Sequence, residues 1–218
     1  MKNNKPTIIC SGLFENRHKT LVSKLEKEFD IVLFAADGNW TGKQRLYVGE
    51  QVIEKSTLNR VEKTYRNFIT DIESKFNLKE QIDKKNDVIK HLLRLWVQSY
   101  CIQRSLRKFH ANRRITAVLA VNDQLAPIRT LVDFGAKNNI PTFYIEHGFI
   151  IASFTADACY VKDDSRLPVT AVVCVDNKVQ KEYYEDYYSG RAHQPEICVT
   201  GNPIDGVLTF QEIKKSNY

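Results

Sequence analysis

Short apolar runs and longer amphipathic stretches alternate along this chain of 218 residues. The apolar runs are continuous, which is typical of strands that are buried on both faces of a parallel sheet. They predict strands at Thr7–Cys10, Asp30–Phe34, Leu46–Val48, Ile115–Val121, Thr142–Ile145, Ala171–Val175 and Ile197–Thr200.

Stretches with apolar residues at helical spacing lie between these strands. They predict helices at Arg17–Glu28, Thr57–Phe76, Asp87–Ala111, Gln124–Lys137 and Lys178–Tyr188. Gly135, Asn138 and Asn139 are the predicted stop signals of the fourth helix. Strands that alternate with helices predict an α/β fold, a Rossmann-like parallel sheet with helices on both faces and right-handed crossovers.

One domain of residues 1–210 is the predicted organisation, since the length is that of one large domain. Two long helices interrupt the alternation of strand and helix, so residues 50–113 are predicted to form a helical insertion. The last residues, 211–218, are polar and are predicted to be a tail or the stub of a linker.

The composition is that of an ordinary globular protein, with 43% hydrophobic and 27% charged residues. No apolar run approaches the length that spans a bilayer, and too few apolar residues follow Met1 for a signal peptide. The cysteines are odd in number, scattered and without a CxxC pair. They are Cys10, Cys101, Cys159, Cys174 and Cys198. We interpret them as reduced core thiols of a cytoplasmic protein.

The formal charge of +6 is concentrated in one segment. Residues 87–114 hold seven cations and one anion, Asp87, so the rest of the chain is balanced. One interpretation is a core helix with a solvated cationic face. The other is peripheral contact with the inner face of a membrane, or with an anionic lipid-linked acceptor, with Trp96 and Tyr100 at the boundary. No nucleic-acid partner is expected, because no recognised nucleic-acid motif accompanies the charge.

The strongest candidate chemistry follows the predicted strand that ends at Ile145. Glu146, His147 and Gly148 come directly after it, and open α/β sheets bind ligands in the crevice outside the carboxyl ends of their strands. His147 is a candidate general base, since histidine titrates near neutral pH. Consecutive residues of an extended chain point to opposite sides, so Glu146 and His147 share the crevice only if the backbone turns at Gly148. A hydrogen-bonded histidine that closes the sheet edge is the structural alternative.

Further candidate residues follow other strands. Asn122 and Asp123 lie between a strand and a helix, so one of them is expected to cap the helix and the other to reach the crevice. Gly12 follows the first strand, where it would let the backbone approach a ligand or would serve a turn alone. Asn202 lies in a Gly-Asn-Pro segment, which is interpreted first as a tight turn and second as a ligand contact.

Three segments, in this order and spacing, resemble the N-terminal half of GT-B glycosyltransferases and of the nucleotide-sugar 2-epimerases that share their fold. They are Val118–Gln124 (VLAVNDQ), Ile140–Gly148 (IPTFYIEHG) and Ile197–Asp205 (ICVTGNPID). With Arg129 in the intervening helix, the pattern is most similar to bacterial surface-polysaccharide and capsule glycosyltransferases. The resemblance covers the second half of the chain well and the first half in outline.

The resemblance implies a Rossmann-like half of a GT-B enzyme, on the side that binds the acceptor. Such a domain takes part in moving a sugar from a nucleotide sugar to a glycan or lipid-linked acceptor, and a second domain or a partner chain would supply most of the donor site. The implied catalytic residues are His147, Glu146 and Asp123, and the implied substrate contacts are Gly12, Asn122, Gly148, Arg129 and Asn202. No cofactor is implied, and no metal is expected because the chain has no Asp-x-Asp pair or carboxylate cluster.

Two other functions use the same residues. A nucleotide-sugar 2-epimerase would transfer protons through Glu146 and Asp123, although His147, Phe149 and Ile150 depart from the Ala-Gly-Leu-Arg that follows the glutamate in that family. A non-enzymatic half-domain would bind a glycan or a partner protein, and its activity would not depend on His147.

Overall fold

The computed structural model of the chain describes residues 5–13, 15–34, 45–46, 55–76, 85–121, 123, 126–145 and 168–201. The strands in this part of the chain are β1 (Thr7–Ser11), β2 (Asp30–Phe34), β3 (Arg45–Leu46), β4 (Ile115–Ala120), β5 (Thr142–Ile145), β6 (Val172–Val175) and β7 (Glu196–Val199). The helices are α1 (Glu15–Leu25), α2 (Lys55–Phe76), α3 (Lys85–Asn112), α4 (Ala126–Lys137) and α5 (Lys178–Tyr188).

The strands form one parallel sheet in the order β3-β2-β1-β4-β5-β6-β7. The chain starts at β1 in the middle of the sheet, moves outward through β2 to β3, and returns to β4 on the other side of β1. The direction in which strands are added therefore reverses between β1 and β4. This is the doubly wound arrangement of a Rossmann-like α/β fold, as the alternation of elements predicts.

Helices cover both faces of the sheet. On one face, α3 and α4 pack on the central strands through a core that includes Ile9, Ile102, Leu106, Val118 and Leu131. On the same face, Tyr184 and Tyr188 of α5 pack on β6 and β7. On the other face, α1 covers β1, β2 and β4 through Leu13 and Val22. The predicted placement of helices on both faces is confirmed.

Two side-chain hydrogen bonds to the backbone fix the start of α5. The bounds of this helix, Lys178–Tyr188, are those predicted from the sequence. The side chain of Asn177 accepts a hydrogen bond of 3.0 Å from the backbone N–H of Gln180. The side-chain oxygen of Gln180 in turn accepts one of 2.7 Å from the N–H of Asp176. Both contacts satisfy backbone donors that a helix end leaves open.

The end of α4 at Lys137 is as predicted, but one of its three predicted stop signals is wrong. Gly135 does not stop the helix, because it lies inside α4 and allows close contact with the sheet. A Cβ atom at this position would lie 2.6 Å from Cγ2 of Thr142 in β5. The helix ends just before Asn139, which has a left-handed φ of 54°. Helices commonly end at a residue with this conformation, so Asn139 is a stop signal as predicted.

Two long helices, α2 and α3, lie in sequence between β3 and β4. Tyr65 of α2 is buried against Trp96 of α3, with the two ring centres 5.3 Å apart. The hydroxyl of Thr130 in α4 donates a hydrogen bond of 2.9 Å to Ser99 in α3. None of the helices in the described residues is long and apolar enough to cross a bilayer. Whether residues 1–210 form one domain with a helical insertion at 50–113 stays a prediction.

The four cysteines among the described residues carry free thiols. Cys10 and Cys101 are buried, as core thiols are predicted to be. Cys174 and Cys198 are neighbours across β6 and β7 and are only partly buried. Burial raises the pKa of the Cys174 thiol to about 11, so it is protonated at neutral pH.

Candidate functional site

The order of strands reverses between β1 and β4, so a crevice is expected at the carboxyl ends of these two strands. In doubly wound sheets, connections leave such a pair of strands toward opposite faces, and the gap between them is the usual ligand site. Here α1 follows β1 on one face and α4 follows β4 on the other. The two ends stay joined, because the N–H of Val121 donates a hydrogen bond of 3.0 Å to the carbonyl of Ser11.

Gly12 lies at the end of β1 in this crevice. Its φ of 80° is in the left-handed region, where a side chain would be strained. The neighbouring Ser11 is fully buried. The backbone thus turns sharply from β1 toward α1, so the turn alone explains why glycine is required. Its use as a ligand contact stays a prediction.

Asp123 lies just beyond β4 and is 1% exposed. One carboxylate oxygen accepts a hydrogen bond of 2.6 Å from the backbone N–H of Val169. The other oxygen, Oδ1, has no hydrogen-bond partner among the described residues. Val169 lies shortly before β6, at the end of the segment that connects β5 with β6. Asp123 therefore links the end of β4 to the last residues of this connecting segment.

Burial raises the pKa of the Asp123 carboxyl above its ordinary value of 3.8. Its hydrogen bonds to the backbone and the positive charge of Arg129 act in the opposite direction and lower the pKa. Arg129 is on α4, where its Nε atom is 2.9 Å from the carboxylate of Asp133 in an exposed ion pair. The structure therefore brings Asp123 and Arg129 within electrostatic reach of each other, as expected for members of one site.

Tyr188 is a neighbour of Asp123 that the sequence analysis missed. Its hydroxyl donates a hydrogen bond of 2.6 Å to the carbonyl of Pro168, next to Val169. Burial raises the pKa of Tyr188, and the negative charge of Asp123 raises it further. The four tyrosines of α5 were assigned no role from the sequence, because helical spacing alone does not show which of them lies near Asp123.

Several predicted site residues lie outside the described residues: Glu146, His147, Gly148, Asn122 and Asn202. Two facts about their surroundings are established. β5 ends at Ile145, beside β4, and Glu146 is the next residue of the chain. Gly201 has a φ of 80°, a left-handed conformation that favours glycine, and the predicted turn at residues 201–203 stays a prediction.

Two other features do not contribute to this site. An open groove of about 480 Å³ lies between the end of α5 and the beginning of β7, lined in part by Lys181, Glu185 and Glu196. It is at the amino-terminal edge of the sheet, opposite the crevice. Within the part of the chain that the structure describes, no group of His, Cys, Asp and Glu side chains is arranged to hold a metal ion.

Comparison with known proteins finds similarity in structure but not in sequence. No family model matches the chain, and no curated protein matches it in sequence. Among solved structures, the chain is similar to UDP-GlcNAc 2-epimerase from Neisseria meningitidis bound to UDP-GlcNAc, with 14% identity and a TM-score of 0.42. The similarity covers 96% of this chain and 52% of that one, so this chain spans about half the length of the epimerase.

Proposed function

We propose that this chain is the acceptor-side domain of a GT-B-type glycosyltransferase, which moves a sugar from a nucleotide sugar to a surface-polysaccharide acceptor. The three sequence segments described above support this proposal, since two of them end at the carboxyl edge of neighbouring strands, β4 and β5. A second domain or a partner chain would complete the donor site. The crevice between β1 and β4 is then the place where the sugar and the acceptor meet.

The observation that carries the proposal is the contact between Asp123 and Val169. The connection that begins with Glu146 and His147 leaves β5 at Ile145, directly beside β4. Its other end, at residues 168–170, is tied to Asp123 just beyond β4 by the hydrogen bond of 2.6 Å. Both described ends of this connection are thus fixed beside β4. Such anchoring of a polar segment is what a preorganised site needs.

Glycosyl transfer makes two chemical demands on such a site. A base must take the proton of the acceptor hydroxyl as its oxygen attacks the anomeric carbon, and the charge on the departing nucleotide phosphate must be stabilised. His147 is the proposed base, with Glu146 as its partner or as a hydrogen-bond acceptor for the sugar. Arg129 and the amino-terminal ends of α1 and α4, which follow β1 and β4, are suited to the phosphates.

In this proposal Asp123 is a positioning residue for the segment that carries Glu146 and His147. Its carboxylate is buried and hydrogen-bonded to backbone, so it holds the returning connection in place. The catalytic role predicted for Asp123 remains a second hypothesis. It is favoured by the raised pKa, because a carboxyl group that keeps its proton at higher pH can act as an acid.

Ligand-observed NMR on the purified chain tests the proposal. A panel of nucleotides, nucleotide sugars and short glycans is titrated against the wild type, Glu146→Ala and His147→Ala. We expect the wild type to bind a nucleotide sugar or a glycan, and both variants to bind it about 10-fold or more weakly, as when one charged hydrogen bond is lost.

His91→Ala is the matched control, because His91 is an exposed histidine of α3 outside the three sequence segments on which the proposal rests. It should bind like the wild type. If Glu146→Ala and His147→Ala also bind like the wild type while remaining folded, the proposed site is wrong. If no member of the panel binds to the wild type, the proposal that this domain recognises sugar substrates by itself is also wrong.

The raised pKa of Asp123 also favours a second candidate, a nucleotide-sugar 2-epimerase. That reaction would remove the C2 proton of the sugar and return one to the opposite face, through Glu146 and Asp123. It predicts that deuterium from solvent enters C2 of a nucleotide sugar in the absence of any acceptor. Asp123→Asn should abolish that exchange, whereas an acceptor-side glycosyltransferase domain shows no exchange at all.

A further inference from the structure

The helix pair of α2 and α3 has a surface that the crevice does not use. Ile102 and Leu106, in the second half of α3, are buried in the core with α4. In the first half, the described side chains pack instead on α2, where Tyr65 and Phe68 contact Trp96. Among the described residues, the aromatic contacts of the first half of α3 are thus made with α2.

This helix pair exposes large apolar side chains. Three of the five large hydrophobic residues that are exposed among the described residues lie on it: Phe68, Leu92 and Trp96. The rings of Phe68 and Trp96 stack with centres 5.9 Å apart, yet Phe68 is still 47% exposed and Trp96 38% exposed. Leu92 lies one helical turn before Trp96, so the three side chains form one patch.

Cations continue the same side of α3 toward its end. Arg104, Arg107 and Lys108 are exposed, and none of them makes an ion pair with a described residue. Around the helix axis, Arg107 lies about 20° from Trp96, Arg104 about 80° and Lys108 about 120° in the same direction, all on the exposed half of α3. A mixed apolar and cationic stripe, with the apolar part first, thus lies along one side of α3.

We propose that this stripe binds the surface of an anionic lipid bilayer. Arg104, Arg107 and Lys108 contact the headgroups, while Trp96, Phe68 and Leu92 enter the boundary between headgroups and acyl chains. Cations that lack protein partners are attracted by the negative surface potential, and aromatic rings favour the interface. A nucleic acid would match the cations but leave the adjacent apolar patch in water. This inference does not depend on the proposed sugar chemistry.

Sedimentation with vesicles tests the electrostatic part of the inference. The purified chain is mixed with vesicles of phosphatidylcholine alone, or of phosphatidylcholine with phosphatidylglycerol. We expect binding to the anionic vesicles only, and weaker binding as salt shortens the range of the attraction. The variant Arg104→Gln, Arg107→Gln, Lys108→Gln should bind about 100-fold more weakly, since each cation near the surface contributes a several-fold gain.

The matched control replaces three exposed lysines of the opposite face, as Lys19→Gln, Lys24→Gln, Lys27→Gln. It lowers the net charge by the same amount, but Lys19 and Lys24 belong to α1 and Lys27 follows it, on the other side of the sheet. It should keep the wild-type affinity. Equal losses in the two triple variants would show that net charge alone causes binding and would overturn the inference. Binding of the wild type to an oligonucleotide but not to anionic vesicles would also overturn it.

Fluorescence tests the apolar part. The chain has two tryptophans, so Trp40→Phe leaves Trp96 as the only one. On anionic vesicles we expect its emission to shift to shorter wavelength, and brominated acyl chains to quench it. Vesicle binding without a shift or quenching would contradict the proposed orientation of the helix pair.

Discussion

At the scale of single residues, Asp123 shows how the fold gives a polar side chain its role. Its position after a strand and before a helix suggested a helix cap or a catalytic group. In the structure its carboxylate is 1% exposed and binds the backbone of Val169, which is 46 residues away in sequence. No local rule predicts a partner at that distance, because the contact exists only once β4 and β6 are in one sheet.

Asp123→Asn is expected to make the folded protein more stable at neutral pH. Asparagine keeps an oxygen that accepts from Val169, and it removes a charge that burial disfavours. Because the folded-state pKa is raised above 3.8, the native state keeps a proton that the unfolded state loses as the pH rises. The contribution of Asp123 is therefore fully present at acid pH and is lost as the pH increases through the folded pKa.

Urea unfolding of both proteins between acid and neutral pH measures this difference. The free energy of unfolding of Asp123→Asn minus that of the wild type should increase as the pH rises. A constant difference at all pH values would contradict the assignment. Asp123→Ala removes the acceptor as well, and it should be about 1–3 kcal/mol less stable than Asp123→Asn because the N–H of Val169 loses its partner.

Gly135→Ala is expected to destabilise the protein by about 1–3 kcal/mol, although alanine is the better helix former. The added Cβ would lie 2.6 Å from Cγ2 of Thr142, so α4 and β5 must move apart. Thr142→Ser removes this methyl group and keeps the hydroxyl, which accepts a hydrogen bond of 2.8 Å from the N–H of Ala171.

A double-mutant cycle of Gly135→Ala and Thr142→Ser measures the clash directly. The double variant should lose less stability than the sum of the two single variants. Simple additivity would show that the close approach of α4 to β5 is not the reason for glycine at this position.

At the scale of elements, the junction of α2 and α3 depends on aromatic packing. Tyr65 is buried between these helices, and Trp96 contacts both Tyr65 and Phe68. Helical periodicity predicted both helices nearly to their ends. It did not predict which faces of the two helices contact each other, because both helices carry apolar residues on more than one side. Tertiary packing determines which of these sides is buried.

Tyr65→Phe is expected to stabilise this junction by up to about 1 kcal/mol. The hydroxyl of Tyr65 is buried and has no hydrogen-bond partner among the described residues, so its removal ends a desolvation cost. Tyr65→Ala should instead cost about 3–5 kcal/mol through the cavity that it leaves. Thermal unfolding compares the three proteins. A clear loss of stability in Tyr65→Phe would reveal a partner for the hydroxyl.

At the scale of the whole molecule, the order of strands determines where the candidate site lies. β1 and β4 are neighbours in the sheet although more than a hundred residues separate Ser11 from its partner Ala120. Gly12 and Asp123 follow these two neighbouring strands, and Arg129 interacts electrostatically with Asp123. That the three residues form one site stays a prediction. The groove near Lys181 lies at the opposite edge of the sheet.

The rate of amide hydrogen exchange in each strand should depend on the position of that strand in the sheet. We expect the slowest amide exchange in β1, β4 and β5, which have neighbours on both sides and lie in the buried cores. The outer strands β3 and β7 should exchange faster, since each has a neighbouring strand on only one side in the part of the chain that the structure describes. If the amides of β7 exchange as slowly as those of β4, another element covers the β7 edge of the sheet.

The sequence by itself determined the elements and the class of fold. Continuous apolar runs indicated the buried strands, helical spacing indicated the helices, and the alternation of strands with helices predicted a parallel sheet. These patterns are local, because each depends on residues that lie close together in the sequence. The tertiary structure alone decided the reversal of strand order between β1 and β4, the burial of Asp123 against Val169, and the contact of Gly135 with Thr142. Each of these joins residues that are distant in sequence, and only the packing of the sheet brings them together.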